Sequence, residues 1–241
     1  MGQRGFFDLE HRYDGLDAKS DPLVAILAAV PFELFRVKLK TALVKGGLRR
    51  ADADRKSLAG RKPWDEVLIF KALVLQALYN LSDDAMEYQL RDRLSFMRFV
   101  GLGLEDAVPD AKTLWLYREA LGKAGAVEGL FNQFDSYLKA KGYLAMGGQI
   151  IDATIVPAPR QRNTRDDNIT VKAGGTPADW EAHPAKNRQK DKDARWTKKH
   201  GKSHFGYKNH INIDRRHKLV RRYAVSAASV HDSQKLEDVL D

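Results

Sequence analysis

The sequence contains no cysteine, which excludes a disulfide framework and any thiolate metal site. It has no apolar run near the roughly 18 residues that a membrane helix requires. The closest stretch, DPLVAILAAVPFELF at 21–35, is interrupted by Pro31 and flanked by acidic residues. Also missing is a basic-then-apolar leader, since the chain opens with MGQRGFFDLEHRYDG. These absences lead to the expectation of an intracellular, cytoplasmic protein with no membrane partner. What is present is a chain of 241 residues, 43% hydrophobic and 30% charged. That suits a soluble protein with a real core, built as one large domain or two modest ones.

The charge is unevenly placed. Residues 186–222 hold 14 Lys or Arg against 3 Asp, a local balance of +11, so the rest of this +9 chain stands at −2. A positive field so concentrated suits a phosphate backbone, whose affinity comes largely from released counterions. A solvated basic loop is the plainer alternative.

Apolar periodicity divides the chain in two. From Asp65, DEVLIFKALVLQALYNL is apolar nearly all round, predicting a buried helix over 65–79 that Asn80 ends. Ser82 is the expected N-cap of DDAMEYQLRDRL, and Asp110 that of AKTLWLYREALGKAG. Leu130, Phe131, Phe134 and Leu138 share one face of a further helix, with Gly142 as its terminator. Residues 46–63 read as a loop. The first 145 residues are therefore mainly helical.

After Gly148 the pattern turns to strands. QIIDATIV at 149–156 is rich in β-branched residues, and Pro157 and Pro159 close it. Residues 160–203 are polar and poorly periodic, predicting a long insertion or lid, disordered in part. In HFGYKNHINID, Phe205, Tyr207, Ile211 and Ile213 alternate with His204, Lys208, His210, Asn212 and Asp214. With RRHK as a turn and LVRRYAVSAASV as a return strand, 204–230 reads as a β-hairpin.

Asp152 sits in the middle of the first strand. On a period of two, Ile151, Ala153 and Ile155 form one apolar face, and Asp152 shares the other with Ile150 and Thr154. A carboxylate there is costly unless it is paired, bound to metal or open to solvent. Taken alone, a strand-centre Asp is more often a hydrogen-bonded structural residue than a ligand. His200, His204 and His210 have no cysteine or carboxylate partner at metal-ligand spacing, and read as phosphate or strand contacts.

Several fragments, in order, resemble bacterial insertion-sequence transposases of the DDE class, in the IS-five family. In the helical half these are Asn80, Leu81, Ser82, Met86, Pro109, Asp110, Thr113 and Arg118; in the second half they are DATIVPAP, HFGYKNHINID and SAASVHDSQ. The resemblance implies an α+β chain: a helical N-terminal domain followed by the first part of a ribonuclease H-like α/β domain. The segments expected are 1–60, partly helical; 61–145, the helical transposase domain; and 146–241, an incomplete catalytic domain with the basic insertion 160–203.

The resemblance also assigns chemistry. It makes Asp152 the first member of an Asp–Asp–Glu triad holding two Mg²⁺, as a solvent-facing carboxylate on the central strand. Magnesium favours carboxylate oxygens, waters and phosphate, and a metal pair suits phosphoryl transfer. The second Asp and the Glu are expected beyond Asp241, from a second polypeptide or a frameshifted continuation, leaving these residues inactive alone. Asp232 reads as an N-cap and Asp214 as a turn residue. The expected partner is DNA carrying terminal inverted repeats, contacted by Lys198, Lys199, Lys202, Lys208, Arg215, Arg216, Arg221 and Arg222, with Trp196 and Tyr207 available for stacking. The helical half is expected to recognise the repeats or to mediate assembly, for example as a homodimer. A DNA-binding regulator derived from a transposase is the alternative.

Overall fold

The computed structural model describes residues 8–50, 62–143 and 148–240. Most of the expected 46–63 loop, and both expected domain boundaries, lie outside those residues. The chain divides into two compact units, 1–137 and 138–241.

The first unit is helical: α1 (Asp8–Asp17), α2 (Pro22–Ala29), a 3-10 turn (Phe32–Phe35), α3 (Arg36–Lys45), α4 (Glu66–Tyr79), α5 (Asp83–Asp92), α6 (Leu94–Val100), α7 (Ala111–Lys123) and α8 (Ala126–Ala140). Its core gathers Leu39, Ile69, Met86, Phe96, Phe99 and Leu114, all at most 1% exposed. The residues carrying the family resemblance here are scaffold. Asn80 adopts the left-handed conformation that ends α4, and Ser82 Oγ accepts from Ala85 N–H to start α5. Asp110 caps α7 through Thr113 N–H. Arg118 grips Asp83 with two parallel hydrogen bonds of 2.6 and 2.7 Å, fastening α7 to α5.

The second unit is an antiparallel sheet with short helices: β1 (Gln149–Pro157), α9 (Arg165–Lys172), α10 (Ala178–Ala182), α11 (Pro184–Arg188), β2 (Arg195–Lys199), β3 (Lys202–Asp214), β4 (Val220–Ala227), a 3-10 turn (Asp232–Lys235) and α12 (Leu236–Val239). The chain is thus α+β. Two expectations need correction. The central strand is β3, which pairs with β1, β2 and β4; among the described residues β1 pairs with β3 alone. The 160–203 insertion is folded rather than disordered: it forms α9, α10, α11 and β2, and Val171, Trp180 and Ala194 are buried. Lys190 covers Trp180, with its ammonium 4.8 Å from the ring.

The covered face of β3 is its polar one. His210, Asn212 and Asp214 are buried on the polar face of β3, where α12 packs and Asn212 Nδ2 donates to Val239 O at 2.6 Å. On the other face Ile150 at 43%, Val156 at 46% and Val225 at 59% are exposed, paired with Ile213, Tyr207 and Asn209, whereas the apolar side of β1 at Ala153 is covered. Asp152 lies on that open face, opposite Ile211. Gly206 lets β1 approach: a Cβ there would strike Val156 O and stand 2.7 Å from Ala158 N.

Candidate functional site

Asp152 is exposed, and its Oδ1 accepts from the following N–H, Ala153, at 2.8 Å. Among the described residues it forms no ion pair. Solvent access resolves the cost of a charge within a strand. The expectation of a solvent-facing carboxylate therefore agrees with its placement.

Around Asp152 opens a cleft of about 450 Å³, lined also by Ala153, Thr154, Ile155, Lys199, His200, Lys202 and His204. The four basic or imidazole side chains come from the tip of the β2–β3 hairpin. His200 and Gly201 both have positive φ, 50° and 76°, the signature of a two-residue type I′ turn. That turn places Lys199 and Lys202 directly opposite one another. Sequence reading named both lysines but not their meeting with Asp152, which lies about fifty residues away in the chain and is joined to them only by tertiary folding.

The other residues expected to meet DNA separate into two groups. Lys198, Arg215, Arg216 and Arg222 are exposed. Lys208 lies on the covered face of β3, donating to Val230 O at 2.7 Å and to Asp232 at 2.9 Å. Arg221 is 4% exposed; it is the extra residue of the β3–β4 bulge, and its Nη1 donates to Tyr143 O at 3.2 Å. Tyr207 donates to Asp191 at 2.6 Å, and burial followed by that hydrogen bond pushes its phenol pKa up. Trp196, by contrast, is 53% exposed, its ring tilted 47° against Phe205 at 5.3 Å and topped by the Arg160 guanidinium at 5.5 Å. Arg160 went unnoticed in the sequence; its only signal was its position just beyond the strand-ending prolines.

Asp232 is not the cap of the terminal turn. His231 is, with Nδ1 accepting from Ser233 N–H, while the Lys208 hydrogen bond holds Asp232 below the usual carboxylate range. Asp214 closes its turn by accepting from His217 N–H, as expected. His210 is buried against Ser226 Oγ at 2.9 Å, and burial lowers its pKa. Among the described residues, no group of three His, Asp or Glu side chains could hold a metal ion. Asp152 with two lysines is a donor set that does not fit magnesium by itself.

A larger cleft of about 670 Å³ in the helical unit is lined by Arg36, Lys40, Arg49, Asp65 and Glu66. Its carboxylates are spoken for: Arg49 reaches Glu66 at 2.6 Å, and Arg36 reaches Asp65 at 2.6 Å. This is structural cross-linking. The clue in the sequence was an acid at the head of an oily helix.

Comparison with protein families matches residues 10–120 to a model described as Transposase domain (DUF772). Residues 144–241 match a Transposase DDE domain. No solved structure matches the chain. The two family matches, in this order, support a DDE-type transposase, and no helix among the described residues is long and apolar enough to cross a membrane.

Proposed function

We propose that this chain is the N-terminal part of a DDE transposase of the IS-five family, acting on DNA at the ends of an insertion sequence. In this reading residues 138–241 open a ribonuclease H-like catalytic domain, and Asp152 is its first catalytic carboxylate. The second Asp and the Glu would come from outside these 241 residues. The observation that carries the reading is the exposure of Asp152 inside a cleft walled by Lys199 and Lys202, within the segment matching a Transposase DDE domain.

DDE domains generally use a divalent metal, and the residues described contribute one carboxylate toward it, so no metal-dependent step is assigned to them. Their own part is to bind and orient DNA. Lys198, Lys199 and Lys202, with Arg215, Arg216 and Arg222, would track the phosphate backbone, a role that gives affinity and register without reading bases. Trp196 would offer a ring for stacking. The helical unit would recognise the terminal inverted repeats or bring two copies together.

The test is cleavage of a terminal-repeat duplex with Mg²⁺. The chain alone should retard the duplex in a gel and leave it unnicked. Supplemented with the polypeptide that carries the missing acids, it should nick the duplex, and Asp152→Asn should abolish nicking while retardation persists. Retardation with no cleavage under either condition would instead favour a DNA-binding regulator of transposition.

A further inference from the structure

We infer that the Lys199–Lys202 turn and Asp152 together form a clamp for one phosphodiester of a DNA strand, the two ammonium groups being its ligands. This rests on the transposase reading and deepens it by naming what would deliver the backbone to the carboxylate.

Strand pairing supplies the first argument. Lys199 and Lys202 are directly opposed across the hairpin tip, where Cβ atoms stand about 4.5–5.5 Å apart and like charges destabilise the pair. Among the described residues neither ammonium is held by a carboxylate. The tight turn at His200-Gly201 leaves the two lysines no freedom to change partners. An anion between them removes the repulsion.

The cleft supplies the second. Lys199, Lys202 and Asp152 border the same space of about 450 Å³, yet Asp152 has not collapsed onto either lysine. The space is left open between one negative and two positive groups. A phosphodiester fits such an arrangement: it has a single negative charge and two non-bridging oxygens, one for each ammonium. A polymer is favoured over a free phosphate because the cleft lies within the segment matching a Transposase DDE domain; exposed Lys198 and Trp196 lie on the opposite face of β2.

If the phosphate lies between these groups, Asp152 repels it and the lysines hold it, so their effects on binding must be coupled. The experiment is a double-mutant cycle on duplex binding by the full chain in metal-free buffer, comparing the parent, Asp152→Asn, Lys199→Gln/Lys202→Gln and the triple variant. Asp152→Asn should tighten binding by roughly threefold, the size of one unit-charge repulsion at close range in a wet site. In the lysine-free background that gain should disappear. Between 50 and 200 mM salt, the double-lysine variant should lose about three- to fourfold less affinity than the parent, since one phosphate contact is gone. A gain of equal size in both backgrounds, with the parent still retarding DNA, overturns the clamp and leaves the transposase reading standing. Failure of every protein to retard any duplex overturns both. Competition by inorganic pyrophosphate as strong as by an oligonucleotide of equal phosphate content would mark a small-anion site and overturn the assignment to a strand.

Discussion

Lys208 Nζ lies 2.9 Å from Asp232 Oδ1 and 2.7 Å from the Val230 carbonyl oxygen, so one side chain of the central strand ties down the terminal turn. Lys208→Gln should therefore lower stability by about 1 kcal/mol in urea denaturation, a modest figure because Asp232 is largely exposed. The salt slope of duplex binding should not change. The Lys208 hydrogen bond keeps the Asp232 pKa lowered, so its contribution is present above the ordinary carboxylate pKa and is lost as pH falls through the lowered value. Parent and variant should converge in stability at the acid end. A flattened salt slope in the variant would return Lys208 to the DNA-contact set.

Glu66 is 4% exposed and receives Arg49 at 2.6 Å and Arg36 at 3.0 Å. Glu66→Gln takes the carboxylate from Arg49, while Arg36 keeps Asp65 at 2.6 Å, and should cost about 1–3 kcal/mol, the range for removing a charged hydrogen-bond partner. Burial pushes the Glu66 pKa up, but the Arg49 hydrogen bond and charge outweigh it and the net shift is downward. The stabilisation is therefore fully present above the ordinary glutamate pKa and fades as pH drops through the lower folded one. Thermal melts of both proteins from pH 7 down to acid should show the gap narrowing.

Gly206→Ala should disrupt the sheet where it supports the site. The new methyl would meet the Val156 carbonyl oxygen, and the φ of 149° is one that L residues rarely adopt. A loss of at least 1–3 kcal/mol is expected from overpacking. Gly142→Ala is a useful contrast: φ is 85° but nothing lies within 4 Å of the added methyl, so only the backbone penalty remains. Chemical denaturation should rank Gly206→Ala as the more damaging; equal losses would mean that the close approach of β1 to β3 is not limiting.

Asp152→Asn should change stability by no more than about 0.5 kcal/mol, as for other surface positions, because the carboxylate makes only a local hydrogen bond to Ala153 N–H. A loss of several kcal/mol in urea denaturation would show a structural carboxylate and count against its catalytic assignment.

Local signals determined much of this protein. Ser82, Asp110 and Asn80 mark helix ends because capping is decided within a few residues. Alternation set which β1 residues share a face with Asp152, and the His200-Gly201 pair carried its own turn geometry. Charge counting located the basic segment. Other properties depended on how distant segments pack. Which face of the sheet is covered could not be read from the polarity of β3, whose buried side is His210, Asn212 and Asp214, although the apolar side of β1 at Ala153 lies on that same face. Lys208 and Arg221 look like surface cations in the sequence, but partners at Asp232 and Tyr143 bind them into the fold. The meeting of Lys199 and Lys202 with Asp152 likewise needs the hairpin tip and β1 in one place. Capping and pairing act over neighbouring residues; burial and electrostatic partnership act through space, and only the folded chain decides them.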